Sequence, residues 1–140
     1  MEYPILAIDY GQKHIGIAIS DAKGIVASPL EVIQVSKNNS IELVSKRLIE
    51  ICKQYRVQSL LFGMPQAFEK EHEVNRVRIQ KFIEEIIKEV KLPYTTYDES
   101  FSTSTAKDMI KDQGYKFKKK KSMIDSYAAS VFLQEYLDNN

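Results

Sequence analysis

Between residues 34 and 41 the spacing of apolar side chains changes from every second residue to every third or fourth, and that change decides what this chain can fold into. Before it, Pro4–Tyr10 (PILAIDY) and His14–Ser20 (HIGIAIS) are strand-like runs separated only by Gly11-Gln12-Lys13, which reads as a hairpin. In the second run Ile15, Ile17 and Ile19 alternate with Gly16, Ala18 and Ser20, so one face is bulky and the other nearly bare. Ala27–Gln34 (ASPLEVIQ) reads as a third strand, with Gly24 as an upstream turn and Pro29 placing it near a sheet edge.

After the change, Asn39 is positioned to cap a helix with Glu42 as its reciprocal partner, and Ile41, Val44, Leu48, Ile51, Cys52 and Tyr55 mark one face. Ser59–Met64 (SLLFGM) is a short continuous apolar run, the pattern of a strand buried on both sides. Val74, Val77, Phe82, Ile83, Ile86, Ile87 and Val90 recur at helical spacing until Leu92-Pro93, and Tyr94–Glu99 (YTTYDE) is a further strand. Ser102 or Thr103 caps a short helix that stops before Gly114, and a last helix runs from near Ser122 through Ile124, Tyr127, Ala128, Val131 and Phe132 to Leu137. The order β-β-β-α-β-α-β-α-α predicts an α/β fold whose mixed sheet is parallel in its later strands, with helices on its faces.

The 140 residues fit one domain, taken here as 1–140, and no repeat or linker divides them. Lys plus Arg is 20 against 19 for Asp plus Glu, so any attraction for nucleic acid must be local. Cys52 is the single cysteine and cannot form an internal disulfide. No apolar run approaches the ~18–20 residues that span a bilayer, and Met1-Glu2-Tyr3-Pro4 lacks the basic start of a signal peptide. These features lead to the expectation of a cytoplasmic protein with no membrane partner.

Three carboxylates stand where chemistry could occur. Asp9 ends an otherwise apolar strand, where a lone charge is costly without a partner or cation. Asp98 and Glu99 end the last strand, and Asp125 lies in the first turn of the last helix. If the first and last strands are parallel neighbours, their carboxyl ends open on one edge, where α/β sheets place their sites. An all-oxygen set without His or Cys favours Mg²⁺ or Mn²⁺ over zinc. Each residue also has a plainer reading. Asp9 before Tyr10-Gly11 suits a turn, Asp125 three residues after Ser122 suits a capping box, and Glu99 suits a solvated loop. Only the joint placement favours a site.

Lys116 and Lys118–Lys121 put five cations within six residues, just ahead of Asp125. Such a run suits phosphate tracking, although a solvated loop accounts for most charge runs. Tyr115 and Phe117 could stack on bases or pack on the core. His14 and His72 have no partner at zinc-ligand spacing, Cys52 reads as a small core residue, and no Gly-rich phosphate loop is present.

The block Ile8-Asp9-Tyr10-Gly11-Gln12-Lys13-His14-Ile15-Gly16-Ile17-Ala18 resembles the opening D-x-G-x-K-R-I-G-x-A of the YqgF family, Holliday-junction-resolvase-like proteins of the ribonuclease H-like superfamily for which pre-16S rRNA cleavage is proposed. The resemblance continues through Ser20-Asp21, Ala27-Ser28-Pro29-Leu30, Gly63-Met64-Pro65, Asp98-Glu99, Ser102-Thr103 with Ala106, and Lys118–Lys121 followed by Ile124-Asp125. It implies a ribonuclease H-like five-stranded mixed sheet in the order 3-2-1-4-5, flanked by helices. It also implies a metal-dependent phosphodiesterase in which Asp9, Glu99 and Asp125 are catalytic and hold Mg²⁺ or Mn²⁺. Asp9 would bridge two ions, while Lys13 and Lys118, Lys119, Lys120 and Lys121 would hold the nucleic-acid backbone. Gly11, Gly16, Gly63 and Pro65 would be structural turn positions.

The sequence departs from the family pattern in three places. Ser100 stands where Asp-Glu is usually followed by Arg, His14 replaces a common Arg, and Gln66–Glu73 has no glycine. The implied function is hydrolysis of nucleic acid at the 5′ side of pre-16S rRNA, with ribosomal particles as partners. The alternatives are a Holliday-junction-type DNA resolvase and a non-catalytic RNA- or ribosome-binding assembly factor. Asp-x-Gly also opens actin-like kinases, but those need two such domains and exceed 140 residues.

Overall fold

The computed structural model describes residues 1–11, 13–36, 40–65, 70–99 and 124–139. Strands β1 (Ile5–Tyr10), β2 (His14–Ser20) and β3 (Ala27–Gln34) are followed by helix α1 (Ile41–Tyr55), β4 (Ser59–Pro65), α2 (Lys70–Glu89), β5 (Tyr94–Glu99) and α3 (Ile124–Asp138). The short helix expected between Ser102 and Gly114 lies outside the described residues. The strands form one sheet in the order β3-β2-β1-β4-β5. β2 is antiparallel to both of its neighbours, while β4 is parallel to β1 and β5. β1 and β5 are therefore separated by β4 rather than adjacent, yet they run in the same direction and end on the same edge.

The unequal faces of the hairpin explain the two layers. Leu6 and Ile8 of β1, Ile15 and Ile17 of β2, and Leu60, Phe62 and Met64 of β4 pack with Val44, Leu48 and Ile51 of α1 and Ile79, Phe82, Ile83 and Ile86 of α2. Among the described residues the bare face takes α3, burying Ile5, Ala7, Ala18 and Leu61 beneath Ala129, Phe132, Leu133 and Leu137. Ala7 and Ala18 are ladder partners, so the smallest side chains lie side by side where the helix approaches the sheet. So little protrudes from this side that α3 can approach the sheet closely.

Local chemistry fixes the turns. Gly24 has φ +71, and a Cβ there would lie 2.4 Å from the Tyr3 ring, so neither its backbone nor its space admits a side chain. Asp21 Oδ1 accepts hydrogen bonds from the N–H groups of Ile25 (2.7 Å) and Val26 (3.1 Å), which hold its carboxyl below the usual aspartate range. On β3, Ala18 pairs with Pro29 while Ile17 pairs with Glu31, so the ladder skips a residue beside a proline on the edge strand.

Two helix expectations need correction. α1 starts after Ser40, which takes the N-cap position with extended backbone and no side-chain cap hydrogen bond, in place of the Asn39–Glu42 box. Val74 and Val77, read at helical spacing with Phe82 and Ile83, are 59% and 56% exposed. Helix geometry gives the reason. With 3.6 residues per turn, the two valines fall roughly 140° and 160° round the axis from Ile79, on the face opposite Phe82, Ile83 and Ile86. The carboxyl end of α2 is tied to the amino edge of the sheet, where Leu60 N–H donates to the Pro93 carbonyl (2.9 Å).

Candidate active site

β1, β4 and β5 all point their carboxyl ends at one edge, and the alternation along each strand assigns the faces there. On β1, Leu6 and Ile8 face α1 and α2 while Ile5 and Ala7 face α3, which puts Asp9 on the α3 side. On β5, Tyr97 packs against the α3 layer, its ring 6.2 Å from that of Phe132, and position 99 continues the same row. Asp98 belongs to the opposite row and reaches α2, where Arg76 Nη1 lies 3.6 Å from its Oδ1. Gly16 is the ladder partner of Asp9. Gly63 pairs with Tyr97 and falls in the same row as Leu61, so neither strand flanking β1 adds a side chain beside Asp9 on that face.

The direction of α3 follows from its far end. Gln134 accepts from Ala27 N–H through Oε1 (2.9 Å) and donates through Nε2 to the Ile25 carbonyl (2.9 Å), fixing that part of the helix at the turn between β2 and β3. That turn lies at the amino edge of β1, because β2 runs antiparallel to it. Asp125 is nine residues earlier, about 13 Å of helix rise toward the carboxyl edge. The backbone positions of Asp9, Glu99 and Asp125 thus fall on one side of the sheet at one end.

Of these three, only the Asp9 side chain is among the described ones; it is half-buried and already engaged by a neighbour. No group of three metal-ligating side chains occurs among the described residues, a set that leaves out the side chains of Glu99 and Asp125. Lys118, Lys119, Lys120 and Lys121 lie outside the described residues. Lys13 is described and exposed at the β1–β2 turn, where its carbonyl accepts from Val35 N–H (2.8 Å). Gly11 in that turn is a close approach, since a Cβ on it would lie 2.6 Å from the His14 carbonyl oxygen. Pro65 closes β4 in register with Glu99.

Other possible centres carry less. Two clefts of about 260 Å³ each lie along the seam of α1 and α2, one lined by Ser45, Lys46 and Glu85 and the other by Cys52 and Leu92, and neither includes Asp9. Burial pushes the Cys52 thiol up to about 11, so it is a packing residue rather than a nucleophile. Sequence reasoning missed Arg76, because a cation in an amphipathic helix reads as solvated until β5 is found beside it.

A profile for the family described as "RuvX: Holliday junction resolvase" matches residues 3–139. The chain belongs to the RuvX family. This is the YqgF family that the motif blocks resemble. A relative from Desulforamulus reducens, named "Putative pre-16S rRNA nuclease", is 37% identical over 135 residues and 96% of both chains. One of the same name from Fusobacterium nucleatum is 36% identical over 95% of both. Among solved structures, T. thermophilus RuvC in complex with Holliday junction substrate superposes with a TM-score of 0.61 at 17% identity, covering 98% of this chain and 95% of that one. Fowlpox virus resolvase with Holliday junction DNA gives 0.57 at 14% identity over 98% of both. At such identities these structures establish a shared fold, the ribonuclease H-like sheet, for this RuvX member. No helix among the described residues is long and apolar enough to cross a membrane.

Proposed function

We propose that this RuvX member is a divalent-metal-dependent nuclease whose residues 1–140 act as one domain, with the precursor of 16S rRNA as its substrate and ribosomal particles as its setting in the cytoplasm. The observation that carries this reading is the convergence of positions 9, 99 and 125 on the α3 side of the carboxyl edge. Relatives at 36–37% identity named for pre-16S rRNA cleavage support the choice of RNA.

The residues fit a metal. Asp9, Glu99 and Asp125 offer oxygen alone, which suits Mg²⁺ or Mn²⁺, and Gly16 and Gly63 contribute no side chain beside Asp9. Positions 9 and 99 are two strands and two residues apart, about 12 Å between Cα atoms from standard strand spacings. Asp9, on the central strand, would hold the metal together with Glu99 and Asp125. Metal bound there would activate water and stabilise the leaving oxygen. Lys13 and Lys118–Lys121 neutralise backbone phosphates without reading sequence.

The test compares wild type with Asp9→Asn on a 5′-extended 16S rRNA precursor and on a four-way DNA junction, with Mg²⁺, Mn²⁺ or EDTA. The expected result is metal-dependent cleavage of the RNA, abolished by EDTA and reduced roughly a hundredfold or more in Asp9→Asn, whose RNA binding is retained. Equal cleavage by the two proteins overturns the catalytic assignment. Cutting of the DNA junction alone replaces RNA processing with junction resolution, and binding without cleavage leaves an assembly factor.

A further inference from the structure

We propose that the groove along the seam of α1 and α2 is a docking site for a basic segment of a partner protein, which seats an arginine side chain among Glu42, Glu85 and Glu89 and lays an apolar side chain against Val90 and Leu92. The inference stands apart from the nuclease reading, because the seam belongs to the α1–α2 layer whereas Asp9 faces α3.

One row of each helix builds the groove. Ile41, Ser45 and Ile49 recur at every fourth residue of α1, and Glu85 and Glu89 at the same interval on α2, so two rows flank a cleft of about 260 Å³. Ile49 and Glu89 line the second cleft as well, which makes the two continuous. Charge divides the groove. Glu42, Glu85 and Glu89 line its first half against Lys46, while Lys53 and Lys91 line the second half beside Val90 and Leu92. Lys88 Nζ lies 3.4 Å from Glu85 in an exposed pair, and neither Glu42 nor Glu89 has an ion-pair partner among the described residues. The two acids of α2 cost the fold more than they help it. They repel each other one turn apart, and Glu89 is the last residue of the helix, where the dipole disfavours a carboxylate. Ser45 is an independent sign of a ligand. It lines the acidic half, is only 4% exposed, and its hydroxyl has no hydrogen-bond partner among the described residues. An arginine side chain answers all of these features. Its guanidinium brings five N–H donors and a fixed charge to the carboxylates and to Ser45 Oγ, and its alkyl stem packs on Ile41 and Ile49. Phosphates of a nucleic acid would meet three carboxylates here, so charge selects a basic protein segment instead. Lys53 and Lys91 repel a cation from the other half, which leaves that half to the apolar side chain.

The test titrates the full chain, by backbone amide NMR, with the end-capped peptide Gly-Ser-Arg-Ser-Leu-Ser-Gly at millimolar concentration; its arginine and leucine share one face when it is extended. Saturable shifts are expected at the amides of Ser45, Ile49, Glu89 and Val90, and none from the same peptide with glutamate in place of arginine. Glu85→Gln combined with Glu89→Gln should weaken binding about tenfold while the melting temperature holds or rises. Ser45→Ala should weaken it about threefold. Absent or unsaturable shifts in wild type overturn the proposal, as does wild-type affinity in the double variant. A double variant that melts earlier assigns the two glutamates to the fold and overturns it too. Spermidine shifting the same amides at equal strength replaces the peptide site with one for small cations. Cleavage is not read in this experiment, so a failed nuclease assignment and a failed docking assignment remain distinguishable.

Discussion

Truncating Phe132 tests how rigidly α3 packs on the sheet. Phe132 is fully buried, and three of the seven buried residues around it are alanines, so it supplies more apolar volume than any other buried side chain of that cluster. Its neighbours cannot collapse into the space. Ala7 and Ala18 are fixed by the ladders of the central strands, and α3 is pinned further along by the two backbone hydrogen bonds of Gln134. Phe132→Ala removes both the transfer free energy and the contact with the Tyr97 ring and leaves a cavity that persists, so the cost falls at about 3–5 kcal/mol. Against a total stability of about 5–15 kcal/mol for a domain of this kind, that is a large fraction. The expected fall in melting temperature is about 10–15 °C, taking roughly 3 °C per kcal/mol at this length. Urea titrations of wild type, Phe132→Ala and Leu43→Ala provide the measurement, with exposed Leu43 on α1 as the control expected to change little. A loss below about 1.5 kcal/mol for Phe132→Ala, with an unchanged slope against denaturant, would refute the rigid packing of α3 on the sheet.

Two further expectations follow from buried polar chemistry. Ile5 N–H donates to Ser20 Oγ (2.8 Å) in the buried first strand, so Ser20→Ala strands that donor and should cost about 1–3 kcal/mol by denaturant titration, with faster hydrogen exchange at the Ile5 amide. Cys52 is raised by burial from 9.0 to about 11, so native protein at pH 8 should react with iodoacetamide roughly a hundredfold more slowly than denatured protein. The folded-state value exceeds the unfolded one, so the neutral thiol's contribution is complete below about pH 9 and is lost as pH rises toward 11; an equal alkylation rate in both states would contradict the burial.

The strands were legible because bulky and small side chains alternate in β2 and because β4 is an unbroken apolar run, whereas their order was implied only by the family resemblance, since periodicity does not say which strands pair. Helix ends were less so. Asn39 and Ser40 are both good caps side by side, and only the backbone shows that the helix begins at Ile41. Val74 and Val77 are spaced like a helical pair with each other, yet they fall on the face of α2 opposite Ile79, Phe82, Ile83 and Ile86, so apolar residues at short helical intervals need not share one stripe. The place of Asp9 and Glu99 at one edge could be read from strand ends, since parity and direction are properties of the strand, whereas Asp125 lies on a helix whose direction only the Gln134 contacts reveal. The contact of Arg76 with Asp98 was not legible either, because it joins residues 22 positions apart on different elements.

The two layers also divide the residues that gather at the carboxyl edge. Asp9 belongs to the α3 side of the sheet, whereas Arg76 rises on the α2 side and meets Asp98, which points away from the α3 row. Strand parity alone assigns position 98 to one layer and position 99 to the other, so consecutive residues of β5 serve different sides of the sheet. Val74 and Val77 lie on the face of α2 turned away from Ile79, Phe82, Ile83 and Ile86, so leaving them uncovered removes nothing from the core.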